Sequence, residues 1–166
     1  MSVFEKLKDV RVLTRTAILL AVALIFQLGG FHQFVTGPVV NAVLFLAALI
    51  VGMWPGVIIG VFTPVIAFLT GILPPALSPM IPFIALGNAL LVIVFFLLQD
   101  KSVIAGIVGG AILKFVFLAA AVRLLVDVPE ALATMMTFPQ LFTALGGGIV
   151  ALLVYKALQA ADIEGI

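Results

Sequence analysis

From Val12 to Leu158 the sequence is almost continuously apolar, broken only where Pro, Gly and small groups of polar residues cluster. A run of this kind cannot be wrapped into a water-soluble globule. Only 9% of the 166 residues are charged, against roughly 25% in soluble domains. The expected fold is therefore all-α: a polytopic membrane protein, with six transmembrane helices forming one integral membrane domain over residues 1–166.

Hydropathy places the spans at about residues 12–30, 38–53, 56–70, 80–98, 102–126 and 138–158. A full hydrocarbon crossing takes ~20 residues, so the second and third are short. Trp54 and Pro55 mark the turn between them. One kinked or re-entrant run is the alternative, but an unbroken helix over 38–70 would be about 50 Å long. Pro55 also suits the first turn of a new helix better than a helix interior. The polar start followed by an apolar stretch has the look of a signal peptide. It leads directly into further spans, so it reads as the first crossing.

Charge placement orients the bundle. Lys6, Lys8, Arg11 and Arg15 flank the start of the first span. With six spans the same side receives Asp100, Lys101 and Lys156, while Asp127, Glu130 and His32 fall on the other. The positive-inside rule then puts both termini in the cytoplasm. Inner turns are a few residues long; the outer loops 31–37, 71–79 and 127–137 are longer and richer in turn-forming residues. Such loops can cover a site.

Several chemistries drop out. There is no cysteine and one histidine, so thiolate catalysis and cysteine-ligated metal sites are excluded, and no metal site is expected. No phosphate-binding glycine loop, dinucleotide fingerprint or HExxH occurs. No paired carboxylates or serine–histidine arrangement suggests an enzyme, and no basic stripe suggests nucleic acid. No catalytic activity and no cofactor are expected in this chain.

The polar residues inside the spans carry the functional signal. Lys114 lies near the middle of the fifth apolar stretch, where a charge is costly and normally pairs, lines a cavity or meets a ligand. No Asp or Glu lies inside any span to neutralise it. Substrate contact, a structural polar network and lipid-facing snorkelling all remain open. Asn88 in the fourth span, Asn41 in the second and Gln27 in the first can hold a polar solute or a neighbouring helix. Arg123 follows Lys114 by nine residues and points to nearly the opposite helix face; it fits a boundary role or a pair with Asp127 as well as ligand contact. His32 can close the outer entrance. Phe83, Phe115, Phe117 and Phe138 can stack on a flat ring. Thr63-Pro64 interrupts the third span, and three prolines stiffen loop 71–79. Ala17 and Ala21 form an Ala-x-x-x-Ala pair on the first span, a smooth surface for close helix packing.

Three stretches carry a resemblance: Thr16-Ala17-Ile18-Leu19-Leu20-Ala21, Gly52-Met53-Trp54-Pro55-Gly56-Val57-Ile58-Ile59-Gly60 and Pro82-Phe83-Ile84-Ala85-Leu86-Gly87-Asn88. With the size and span count, they make nearly the whole chain resemble the substrate-binding S component of an energy-coupling factor (ECF) vitamin transporter. The resemblance implies high-affinity binding of a vitamin or precursor from outside. It implies association with a transmembrane coupling subunit and two ATPases that use ATP, docked through Ala17 and Ala21. It also implies a pocket in the outer half, which suits Lys114 and Asn88. The absence of acidic residues inside the spans favours an exogenous anion, a neutral buried amine or water access at Lys114. The first would be a carboxylate-bearing substrate, such as pantothenate, niacin, biotin, lipoate or a folate, with neutral ring compounds still open. An autonomous secondary transporter and a non-transport membrane assembly protein are the competing readings. The first usually carries an intramembrane carboxylate; the second leaves Lys114 without a purpose.

Overall fold

A computed structural model describes residues 9–161 as a bundle of helices with no strand among them. Lys6 and Lys8, used above to orient the chain, lie outside the described residues. The helices are α1 (Val10–Leu28), α2 (Gln33–Ile50), α3 (Met53–Leu69), α4 (Ile81–Leu98), α5 (Val103–Leu124), the short α6 (Glu130–Met135) and α7 (Phe138–Ala160); a 3₁₀ segment, Pro75–Met80, leads into α4. Five helical stretches are long and apolar enough to cross a membrane, and the sixth, α3, is apolar but only 17 residues long.

Local chemistry explains the helix ends. The Asp9 carboxylate accepts from the Arg11 N–H (2.9 Å) at the start of α1, and Ser102 Oγ accepts from the Ala105 N–H (3.2 Å) at the start of α5, as N-caps do. Pro82 and Pro139 lie in the first turns of α4 and α7, where a missing N–H costs nothing. The α2–α3 turn falls at Gly52 and not at Trp54-Pro55. Gly52 has φ +130°, a conformation favourable only to glycine, and Pro55 then occupies the first turn of α3. Helix α2 begins at Gln33, not at Pro38, because His32 caps it and Pro38 is carried inside.

Helices α1, α3 and α5 finish at the end of the bundle where α2, α4 and α7 begin. The centre of the bundle is α2, which buries nine residues; α1 buries only Ala23 and lies at the periphery. The larger apolar core sits away from the cavity described below. It includes Leu44, Ile59, Leu91 and Val92 and an edge-to-face pair of Phe45 and Phe95, ring centroids 4.9 Å apart. A smaller core of Leu77, Met80, Leu118, Ala121, Val122 and Met136 closes the other end.

Helices α2 and α7 approach closely because Gly147 faces Pro38, Asn41 and Ala42. A Cβ placed there would come within 2.7 Å of the Pro38 carbonyl oxygen and 2.8 Å of the Ala42 nitrogen. These are main-chain atoms, so the helices themselves would have to separate. Gly147→Val is expected to destabilise the bundle by about 1–3 kcal/mol or more, as overpacking does. Thermal unfolding in detergent measures it, and an unchanged midpoint would contradict this crossing.

Candidate functional site

The polar residues of the spans converge on a cavity of about 330 Å³ at the end of the bundle where α1, α3 and α5 finish. Gln27, Asn41, Asn88 and Lys114, four of the residues singled out in the sequence, line it together. Among the described residues Lys114 is the only ionisable one on its walls. It is buried, 3% exposed, which answers the snorkelling alternative: the side chain faces the bundle interior. Its Nζ donates to Asn41 Oδ1 (2.8 Å), and Asn41 Nδ2 in turn donates to the Gly37 carbonyl (2.8 Å). An ammonium carries three N–H donors; this one has a single protein acceptor among the described residues. Gly87 packs against the same face of α5: a Cβ there would be in ordinary contact with Lys114 Cγ (3.5 Å) and tight against Leu118 Cγ (3.3 Å).

Proline chemistry positions Asn88. Pro64 has no N–H, so the carbonyl of Gly60, one turn earlier in α3, loses its helical partner. Asn88 Nδ2 reaches across from α4 and donates to that oxygen (2.9 Å), and Thr63 Oγ donates to it as well (3.3 Å). Gln27 Nε2 similarly ties α1 to the Thr63 carbonyl (3.3 Å), while its Oε1 is buried without any hydrogen-bond partner. Exchanging the two ends of that amide would set oxygen against oxygen, so the donor must face Thr63. Gln140 Nε2 donates to the Met135 carbonyl (3.3 Å). Each of these amides commits one of its two N–H donors to a main-chain carbonyl, and the Gln27 oxygen is left as an acceptor without a partner among the described residues.

Loops complete the walls. Phe31, Gln33 and Thr36 come from the first outer loop and the start of α2; Ile72, Leu73, Pro74 and Leu77 come from the proline-rich connection. Gly71 turns the chain into that connection with φ +76°. Met135 and Met136, at the end of α6, close another side. These methionines were not singled out in the sequence; the only signal was a short helix-compatible segment between Pro129 and Thr137.

Four of the candidate residues do not join this cavity. His32 is exposed, its Nδ1 accepting from the Phe34 N–H (3.4 Å) and its ring stacked on Phe34 with centroids 5.4 Å apart; the capping geometry holds it aside. Phe83 packs with Phe117 (6.2 Å) against the smaller core. Phe115 pairs with Phe138 (5.2 Å) on the outside of the bundle. Arg123 is exposed on the opposite face of α5 from Lys114, as nine residues of helix require, and no ion pair joins it to Asp127 among the described residues.

A family model for the substrate-specific component of ECF transporters matches residues 11–159. The chain belongs to that family. No individually curated protein and no solved structure matches it. An ECF substrate-specific component is a binding subunit of a transport system and not an enzyme. It works in association with the ECF membrane and ATPase modules, and it is a multi-pass protein of the prokaryotic cell membrane.

In this S component the Asn88–Gly60 bond can be tested for its structural share. Asn88→Ala leaves the buried Gly60 carbonyl only its longer bond from the Thr63 hydroxyl and should cost about 1–2 kcal/mol. In a Pro64→Ala background the restored N–H can serve the Gly60 carbonyl, so the same change should cost well under half as much. A double-mutant cycle on detergent unfolding measures the difference; equal costs in both backgrounds would refute this account of Asn88.

Proposed function

We propose that this S component captures a small anionic micronutrient, a vitamin or vitamin precursor, and delivers it inward as part of an ATP-driven ECF transporter. The observation that carries the reading is Lys114: among the described residues it is the sole ionisable group on the cavity wall, with no carboxylate beside it to neutralise it. Burying a lone charge is costly unless it gains a partner, and an anionic solute supplies one through a charge-assisted hydrogen bond. The volume is near the lower end of the ~300–1,000 Å³ typical of ligand sites, which favours compact acids over large multi-ring vitamins.

The amides refine the substrate class. With Gln27 Oε1 unpartnered among the described residues, a matching solute carries an N–H or O–H donor as well as its acid group. A hydroxy- or amide-bearing carboxylic acid meets both needs. Phe31, paired with Phe26 at 5.7 Å, and the apolar loop residues exclude water from the rest of its surface.

Orientation follows from charge. Arg11, Arg15, Lys101 and Lys156 lie at the end away from the cavity, so the positive-inside rule turns the cavity outward and places both termini in the cytoplasm. Release inward requires a state of lower affinity. We assign the work to ATP hydrolysis in two partner ATPases, acting through a transmembrane coupling subunit. Ala17 and Ala21 are exposed on the peripheral helix α1, which suits them to be that subunit's seat.

The decisive experiment is thermal stabilisation of the purified protein by a panel of small carboxylic acids and their amides. One acid is expected to give a saturable rise in Tm that its neutral amide does not. Lys114→Met should weaken that acid at least tenfold while the unliganded protein stays folded. Stabilisation by the amide alone, or an unchanged affinity in the variant, would sink the anionic reading. Ala17→Trp should abolish co-purification with the coupling subunit and leave ligand affinity intact; assembly and uptake that both survive the change would move the dock elsewhere.

A further inference from the structure

A second recess lies on the outside of the bundle and shares no lining residue with the Lys114 cavity. Between α5 and the start of α7, Phe115, Ala119, Ala120 and Phe138 line a groove of about 410 Å³ that ends at Arg123 and Thr137. The two alanines give it depth, and the tilted ring pair of Phe115 and Phe138 forms its far wall. Ile112, Val116, Leu124 and Phe142 are exposed around it, so the groove faces lipid tails. Arg123 and Thr137 also line an adjoining cleft of about 560 Å³ whose charged residues are Arg123, Asp127 and Glu130. Groove and cleft are therefore continuous through Arg123. The whole presents an apolar slot, then a cation, then two carboxylates.

We propose that this recess binds one phospholipid with a primary-amine headgroup. An acyl chain lies along Ala119 and Ala120, the phosphate meets the Arg123 guanidinium, and the ammonium meets Asp127 and Glu130. The charge sequence selects the headgroup. Arginine matches phosphate geometry through its fork of donors, and among the described residues no ion pair already occupies it. The carboxylates accept hydrogen bonds from a primary ammonium, which a quaternary choline lacks and a glycerol headgroup replaces with neutral hydroxyls. Arg123 near the membrane boundary sits at headgroup depth, where long basic side chains reach the interface.

The test uses the detergent-purified, delipidated full chain and lipids of identical acyl composition. Phosphatidylethanolamine is expected to remain bound at one per chain in native mass spectrometry and to raise Tm. Phosphatidylcholine and phosphatidylglycerol should be retained at least fivefold less. Arg123→Gln should lose most of the retention, and Asp127→Asn with Glu130→Gln should erase the preference over phosphatidylcholine. Ala120→Trp, which fills the groove without touching the charges, should also displace the lipid. Equal retention of the three lipids by the native chain would overturn the proposal, as would an Arg123→Gln variant that binds normally. Glycerophosphoethanolamine giving the full Tm rise would overturn the groove's part in it. Far-UV circular dichroism checks that each variant is folded.

Discussion

The Gly60 carbonyl is the point on which the cavity end of the bundle turns. A proline in the middle of α3 strips this oxygen of its helical partner, and hydrocarbon offers no water to replace it. Asn88 and Thr63 supply the missing donors. The Asn88 bond ties α4 to α3 at the cavity wall. The close contact is possible because residue 60 is glycine: a Cβ there would come within 2.9 Å of Asn88 Cβ. Backbone disruption and cavity formation are thus one event, as expected where irregular membrane backbone is tolerated only against protein or a polar space.

Lys114 plays the matching part on the other side. Its bond to Asn41 ties α5 to α2, the most buried helix, and Asn41 sits beside the α2–α7 crossing that Gly147 permits. The cationic group is held by a neutral amide instead of a carboxylate, so it is positioned without being neutralised. The structural bond to Asn41 thus leaves the charge of the same side chain available to the cavity. Membership of the ECF substrate-specific family agrees with a polar cavity set inside an otherwise apolar bundle.

The fold was legible because apolar length and turn residues report membrane helices directly. That Lys114, Asn41, Asn88 and Gln27 line a cavity was legible because a polar group deep in a span has few places to go. What the sequence could not convey was helix rotation and local capping. Arg123 carries the same charge as Lys114 on the same helix, yet half a turn of phase sends it outside. His32 sits in the right loop but is held aside by its cap. Phe83 and Phe115 were attractive only as aromatics, and packing partners that sequence does not name directed them elsewhere. The turn at Gly52 lay two residues before the more conspicuous Trp-Pro pair, because a proline signals a helix start more strongly than a glycine signals a stop. Met135 and Met136 were hidden by the brevity of α6.

The anchoring of the cavity amides has a consequence for adaptability. Gln27, Asn88 and Gln140 each hold to a main-chain carbonyl, and only the Asn41–Lys114 pair depends on a second side chain. Main-chain carbonyls persist whatever residue bears them. Apart from Asn88, whose bond repairs the Gly60 carbonyl, a lining amide can therefore be exchanged without unravelling a chain of mutually dependent contacts. The polar lining of the cavity is modular at these positions, and its pattern can change piecemeal on an unaltered frame.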